Sequence, residues 1–318
     1  MNALTPWQQQ AADQVQAALL AGRLGHGLLI TGPAGIGKRA LALHLARQLL
    51  CAGDPVAAAR SAQLLDAGTH PDLQLVSFIL NKSGDKLRTV IVIEQIRQVS
   101  QKLALTAQYG QGQVVIIDPA EAINTSAANA LLKTLEEPAP GRYLWLLASE
   151  PARLPATIRS RCQVLELRLP PRAQALDWLL SQGHDADVAG QALEAARGHP
   201  GLADTWLRGQ GWALRGQVRD DLDGLAAGRV QASELAVRWS GDEHLALRLR
   251  HAADLALLRA RHCGLTAPAG LPKLAAWFDA ANTTASLLRT TIRADLAVVE
   301  LLLAWPAAIA DASKGKKQ

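Results

Sequence analysis

The stretch L-L-I-T-G-P-A-G-I-G-K-R, residues 28–39, decides the fold. A short apolar run ends in a glycine-rich loop, and a helix-forming run begins directly after it. The loop almost matches the phosphate-binding pattern G-x-x-x-x-G-K-[ST], in which backbone N–H groups at glycines and at a helix N-terminus approach phosphate oxygens. The residues that would hold the phosphates are Gly32, Gly35, Gly37 and Lys38. We therefore predict a strand, a phosphate loop and a helix in that order.

Arg39 occupies the last position of this pattern, where a Ser or Thr hydroxyl normally holds Mg²⁺. A second apolar run, Q-V-V-I-I-D, ends at Asp118, and in phosphate-loop ATPases such a strand presents an Asp toward Mg²⁺. The next residue is usually a Glu that activates water, but here it is Pro119, and Glu121 follows two residues later. These two losses predict that the chain does not hydrolyse ATP. The intact glycines and Lys38 leave binding of ATP or ADP without hydrolysis open.

The chain has 318 residues, enough for two or three domains, and 49% of them are apolar. It contains no uninterrupted run of about 18 apolar residues, as a membrane span would require, and its first residues lack the parts of a signal peptide. The cysteines Cys51, Cys162 and Cys263 are too far apart in sequence to suggest a disulfide framework. These features predict a cytoplasmic protein with no membrane partner. The net charge of +5 permits a nucleic-acid partner but does not indicate one.

Strand-like and helix-like segments alternate through the first half of the chain. The predicted strands cover residues 28–31, 72–76, 113–118, 143–149 and 162–167. This alternation predicts a parallel sheet with helices on both faces. Pro170 and Pro171 mark a boundary, after which the sequence predicts helices alone. The predicted fold class is therefore an α/β domain followed by all-α domains.

Two apolar stripes with helical spacing are predicted to be buried in the all-α part. The first stripe comprises Leu245, Leu249, Ala252 and Ala256. The second comprises Leu288, Ile292, Leu296, Val299 and Leu303. Each would form one face of a helix that packs in the core.

The segment T-I-R-S-R-C, residues 157–162, lies just before the last predicted strand. Its arginines, Arg159 and Arg161, are either ordinary surface charges or include an arginine finger. Such a finger is a rigidly held guanidinium offered to a phosphate in a neighbouring subunit. The pattern by itself does not decide between these two interpretations.

Several longer motifs resemble bacterial clamp loaders of the AAA+ class. They are N-A-L-L-K-T-L-E-E-P at residues 129–138, S-R-C at 160–162, A-G-T-H-P-D at 67–72 and G-H-P-G at 198–201. The resemblance covers essentially the whole chain and is strongest over residues 26–50 and 113–165.

The resemblance implies an AAA+ phosphate-loop domain over residues 1–168, a small helical lid over 169–208, a helical collar for oligomerisation over 209–311 and a basic disordered tail over 312–318. It implies a place beside motor and delta subunits in a five-subunit ring. That ring puts a sliding clamp on primed DNA for a replicative polymerase. The defective phosphate loop indicates the non-hydrolysing stator of such a ring rather than its motor.

Two residue-level expectations come from the resemblance. The Ser160-Arg161-Cys162 motif implies that Arg161 acts in trans, as an arginine finger at the ATP site of the adjacent motor subunit. Relatives also carry four zinc-binding cysteines, but here only Cys51 fits the set. The positions that match the later cysteines are Val56, Ala59 and Ala62. One thiolate cannot hold a closed tetrahedral site, so we predict no zinc and no other metal.

Two alternatives remain at this point. The chain could be an active AAA+ motor subunit that bypasses the losses at Arg39 and Pro119. It could instead be a module that binds nucleic acid through its own basic surface, which predicts strong and salt-dependent binding of DNA.

Overall fold

A computed structural model describes residues 3–80, 84, 88–109, 112–263, 270–288 and 293–310. Its residues fall into two compact units, one running to Ala186 and including Ala196–Leu202, the other comprising Asp187–Ala195 and the residues from Ala203 onward. The predicted domain boundaries after residues 168 and 208 stay predictions. The predicted tail at 312–318 and the predicted core residue Ile292 lie outside the described residues.

The first unit contains a five-stranded parallel sheet, as the alternating sequence pattern predicts. The strands are β1 Gly27–Thr31, β2 Leu73–Val76, β3 Gln113–Ile117, β4 Arg142–Ala148 and β5 Gln163–Glu166. Their spatial order is β2-β3-β4-β1-β5, so β1 lies between β4 and β5. The strand that leads into the glycine loop is therefore flanked by partners on both sides.

Helices cover both faces of this sheet. They are α1 Pro6–Leu20, α2 Lys38–Leu50, α3 Pro55–Asp66, α4 Ile93–Leu103, α5 Thr125–Glu136, α6 Ala156–Arg159 and α7 Arg172–Ser181. Successive side chains of a strand point to opposite faces, and accordingly Leu28 and Ile30 pack in one core while Leu29 packs in the other. Asn124 caps α5, because its side chain accepts a hydrogen bond from the Ala127 N–H at 2.8 Å.

The remaining helices are α8 Ala186–Ala195, α9 Pro200–Arg208, α10 Gly211–Ala226, α11 Ala232–Ser240, α12 Leu245–Cys263, α13 Leu271–Leu287 and α14 Ala294–Ala310. The core of the second unit is anchored by buried tryptophans. The Trp305 indole N–H donates to the Leu222 carbonyl at 2.9 Å, and that of Trp277 donates to the Leu301 carbonyl at 2.8 Å. The predicted stripe from Leu245 to Ala256 is buried, as expected. No helix among the described residues is long and apolar enough to cross a membrane.

The second predicted stripe does not form one buried helix face, because Leu288 is the C-cap of α13 and, of the predicted residues on α14, Val299 alone packs against the core. Leu296 is 58% exposed and Leu303 is 64% exposed. The face that packs in the core carries Val298, Leu301, Leu302 and Trp305. Because α14 is apolar on most sides, helical spacing alone selects no face. The large Trp305 side chain, with its hydrogen bond to another helix, decides which face is buried.

Candidate functional site

The predicted phosphate loop follows β1 and leads into α2, in the expected strand–loop–helix order. Its glycines have backbone angles that L-residues with side chains rarely adopt, with φ of +146° at Gly32, +85° at Gly35 and +97° at Gly37. A Cβ at Gly32 would lie 2.4 Å from the Leu167 carbonyl oxygen, which follows β5. The loop therefore needs glycine at Gly32 both for its conformation and for close approach to the neighbouring chain segment.

Side chains from distant parts of the first unit bind the carbonyl oxygens of the loop. The Gln8 amide donates to the Gly37 carbonyl at 2.8 Å, and the Trp7 indole donates to the Ile36 carbonyl at 3.3 Å. The His199 imidazole Nε2 is 2.9 Å from the Ala34 carbonyl, to which it donates. His199 belongs to the G-H-P-G motif, whereas nothing in the sequence pattern pointed to Trp7 and Gln8. These contacts fix the loop from outside it.

Lys38 is buried and bonded to its own loop. Its ammonium donates to the carbonyls of Gly32 at 2.7 Å and Pro33 at 3.0 Å, and to the Ser149 hydroxyl at 2.9 Å. Burial lowers the Lys38 pKa, while the nearby carboxylates of Glu121 and Asp118 act in the opposite direction. Lys38 is thus folded back onto the loop and would have to exchange these partners to reach a phosphate.

Arg39 forms an ion pair with the one acid that the sequence predicts for Mg²⁺. Its Nε is 2.5 Å from Asp118 Oδ2. Asp118 directly follows β3, and its side chain is 19% exposed, against 47% for Arg39. The guanidinium therefore supplies positive charge at the carboxylate where the metal of an active ATPase would be held. A hydroxyl ligand is missing here, and the remaining acid already has a cationic partner, so the residues present do not fit Mg²⁺.

Glu121 is bonded to the backbone and does not occupy the position of a water-activating base. It lies on a 3₁₀ turn, Ala120–Ala122, that follows Pro119. Its Oε1 accepts hydrogen bonds from the backbone N–H groups of Ser149 at 2.9 Å and Glu150 at 3.3 Å. Glu121 therefore ties the turn after β3 to the chain that leaves β4. No sequence pattern predicts this role.

The Ser160-Arg161-Cys162 motif directly follows α6. Arg161 is exposed, with its Nη1 donating to the Thr157 carbonyl at 2.9 Å and its Nη2 lying 2.7 Å from Glu136 Oε1. Ser160 Oγ also donates to the Thr157 carbonyl, at 3.2 Å. Cys162 lies beneath, where burial raises the pKa of its thiol to about 11. The motif combines a partly buried cysteine with an accessible guanidinium.

The predicted site residues form two separate groups. The loop glycines, Lys38, Arg39 and Asp118 lie together beyond the C-terminal end of β1. Arg161 lies at the other end of that strand, since a Cβ at Gly27 would be 3.2 Å from the Arg161 carbonyl oxygen. At about 3.3 Å per residue the strand separates the two groups by roughly 13 Å. Arg161 is therefore not part of the phosphate loop of its own chain.

The described residues contain no cluster of three or more His, Cys, Asp or Glu side chains that could hold a metal ion. Cys51 follows α2, and burial raises its pKa. The absence of zinc stays a prediction from the sequence.

Comparisons with known proteins identify relatives over most of the chain. A family model described as DNA polymerase III, delta subunit, matches residues 7–171. The chain is 41% identical to DNA polymerase III subunit delta' of Pseudomonas aeruginosa over 249 residues, which are 76% of this chain and 72% of that protein. It is 36% identical to the subunit delta' of Escherichia coli over 217 residues, 66% of this chain and 63% of that protein.

Among solved structures, a DNA polymerase III gamma subunit-related protein from Thermotoga maritima is similar, with a TM-score of 0.46 and 17% identity over 95% of this chain and 99% of that one. A likeness at this level carries no argument about function. The family model and the Pseudomonas relative show the family, because each match extends over more than half of the chain. On this evidence the chain belongs to the DNA polymerase III delta' subunit family.

Proposed function

We propose that this chain is a non-hydrolysing stator subunit of a DNA polymerase III clamp loader. In this role it joins motor and delta subunits in a five-subunit ring that places a sliding clamp on primed DNA. The observation that carries the proposal is the ion pair of Arg39 with Asp118. It gives the metal-binding acid an internal cation in place of Mg²⁺.

Chemistry supports the absence of hydrolysis. Phosphoryl transfer on a phosphate loop depends on Mg²⁺ to neutralise developing charge and on a residue that orients the attacking water. Here the hydroxyl ligand is replaced by Arg39, and Pro119 offers no base. Glu121 is engaged by two backbone N–H groups. The chain thus keeps a phosphate-sized loop without the groups that would activate water.

The same loop supports binding of ATP or ADP without turnover. Its glycines keep the conformations in which backbone N–H groups can approach phosphate oxygens. Lys38 exchanges the carbonyls of Gly32 and Pro33 for a phosphate oxygen when a nucleotide binds. Neither nucleotide is required for the stator role.

Arg161 supplies the catalytic contribution of the proposed stator, acting on the ATP of the adjacent motor subunit. Its guanidinium is accessible, its backbone is anchored beside β1, and it lies far from the loop of its own chain. An arginine finger in trans needs these three properties, since it must be held rigidly while it faces another subunit. Ser160 bonds to the preceding turn, and the partly buried Cys162 packs against the core below Arg161.

The first experiment measures steady-state ATP turnover by the purified chain, with calorimetric titration of ATP and ADP with and without Mg²⁺. We expect no turnover. Turnover that disappears in Lys38→Ala would contradict the stator proposal and would support an active motor instead.

The second experiment places Arg161→Ala in a clamp loader reconstituted with its partner subunits, clamp and primed DNA. We expect the stimulated ATPase to fall by about 100-fold or more at the affected site, with assembly intact. Arg159→Ala is the matched control, because Arg159 is an exposed arginine two residues earlier in the same segment. An unchanged ATPase in Arg161→Ala, or an equal loss in Arg159→Ala, means that the finger assignment is wrong.

A further inference from the structure

The carboxylate of Glu136 holds the guanidinium of Arg161. The Arg161 Nη2 lies 2.7 Å from Glu136 Oε1, and the Arg161 Nη1 donates to the Thr157 carbonyl at 2.9 Å. Two different groups, the Glu136 carboxylate and the Thr157 carbonyl, thus bind two nitrogens of one side chain. An arginine has five N–H donors in a rigid plane, so these bonds fix its orientation while donors remain for another ligand.

The position of Glu136 is unfavourable for the helix that carries it. Glu136 is the last residue of α5, and Glu137 is its C-cap. Carboxylates at a helix C-terminus face the negative end of the helix dipole, which favours Lys or Arg there. The ion pair with Arg161 is half-exposed, and exposed pairs contribute little to stability. Neither helix stability nor the stability of the folded state therefore accounts for a glutamate at this position.

The end of α5 and the Arg161 backbone are packed on the same point of the sheet. His26 Nε2 donates to the Leu135 carbonyl at 2.7 Å, which fixes the residue next to Glu136. A Cβ at Gly27 would lie 3.1 Å from the Leu135 side chain and 3.2 Å from the Arg161 carbonyl oxygen. The backbones that carry the carboxylate and the guanidinium are therefore both packed against the start of β1.

We infer that Glu136 is a positioning residue for Arg161, which sets the guanidinium in the direction needed to meet a phosphate of the adjacent subunit. This inference rests on the proposed role of Arg161 as an arginine finger. Glu136 does not touch the nucleotide. It acts by restricting Arg161, and a misplacement of about 1 Å at a catalytic group costs up to roughly 100-fold in rate.

The test is Glu136→Ala in the reconstituted clamp loader, with kcat and KM for ATP measured under clamp and primed-DNA stimulation. We expect kcat to fall by about 10-fold and KM to stay within about 2-fold, because positioning affects the transition state rather than ground-state binding. Glu136→Gln should recover most of the loss, since its amide oxygen still accepts from Nη2. Glu137→Ala is the matched control, an adjacent acid at the same helix end, and should keep the wild-type kcat.

A double-mutant cycle separates this inference from the proposed function. When Arg161 is already replaced by Ala, the change Glu136→Ala should alter kcat by less than about 2-fold, because it acts through Arg161. If Arg161→Ala lowers kcat while Glu136→Ala does not, the positioning role is wrong and the finger stands. If neither variant changes kcat, the finger itself is wrong. A rise in kcat in Glu136→Ala would show a restraining contact and would also overturn the inference.

Discussion

The phosphate loop and the Arg161 segment lie at opposite ends of β1, and they differ in how their charged groups are satisfied. At the loop, Lys38 is bonded to carbonyls of its own chain and Arg39 is paired with Asp118. At the other end, Arg161 is held by Thr157 and Glu136 but remains accessible with donors to spare. The comparison teaches that a site can keep its backbone conformation while its charged side chains are paired within the chain. Arg161 keeps the accessibility that the proposed finger role requires.

The loop end should be the more sensitive to backbone change, and Gly32→Ala should have the largest effect. A Cβ there meets the Leu167 carbonyl at 2.4 Å, and φ is +146°. Neither group is free to move, because the Leu167 N–H donates to the Thr31 carbonyl at 2.8 Å. We expect a loss of about 3–4 kcal/mol in the free energy of unfolding, from strain and a backbone clash together. Urea denaturation of the purified chain measures it.

Gly68→Ala is the matched control for this prediction. Gly68 has a φ of +68°, and a Cβ there would meet nothing within 4 Å. The change should cost about 1 kcal/mol, from the left-handed conformation alone. Equal losses at Gly32 and Gly68 would mean that the close approach to Leu167 contributes nothing.

The Cys162 thiol, next to Arg161, should make the stability of the protein depend on pH in the alkaline range. Burial raises the Cys162 pKa from 9.0 to about 11, so the folded state disfavours the thiolate. Stability from this group is present below pH 9 and is lost as the pH rises toward 11, by roughly 2–3 kcal/mol in all. Unfolding free energies at pH 8 and 10.5 should fall less in Cys162→Ala than in the wild type. A fall in Cys162→Ala as large as in the wild type would mean that Cys162 is not the titrating group.

The sequence predicted the sheet, the loop and the family because these depend on local patterns. The run from Leu28 to Arg39 contains strand, glycines and helix within a dozen residues, and the family match confirms the resemblance to clamp loaders. The loss at Arg39 was also visible, because a guanidinium replaces a hydroxyl at a fixed position. The partner of that guanidinium could not be predicted, since Asp118 is 79 residues away and only the fold brings the two together.

The unpredicted contacts share a physical cause. Gln8 and Trp7 reach loop carbonyls through polar atoms at the ends of long side chains. Hydrophobic periodicity predicts which face of α1 is buried but not where one amide on that face donates. The stripe predicted on α14 is the converse case, because a helix that is apolar on most sides leaves its orientation to a single large residue, Trp305.

A smaller effect should test whether the two ion pairs differ in strength or only in use. Arg39–Asp118 and Arg161–Glu136 are both partly exposed to water. Double-mutant cycles to Ala should give coupling energies of about 0.5–1 kcal/mol for each pair, because solvent screens them and side-chain entropy opposes them. A coupling above about 2 kcal/mol at Arg39 would indicate a desolvated pair that matters for folding. Similar values would place the difference between the two ends in function rather than in stability.

The smallest expected effect concerns Lys38 in the reconstituted complex. Lys38→Ala removes bonds to Gly32, Pro33 and Ser149, all in this chain, and leaves Arg161 at the far end of β1 untouched. We expect the stimulated ATPase to stay within about 2-fold of the wild type, whereas Arg161→Ala lowers it strongly. A large fall in Lys38→Ala with assembly intact would mean that a nucleotide held by this loop is needed for turnover elsewhere in the ring. The two ends of β1 would then be coupled, and the loop would be a working site rather than a retained one.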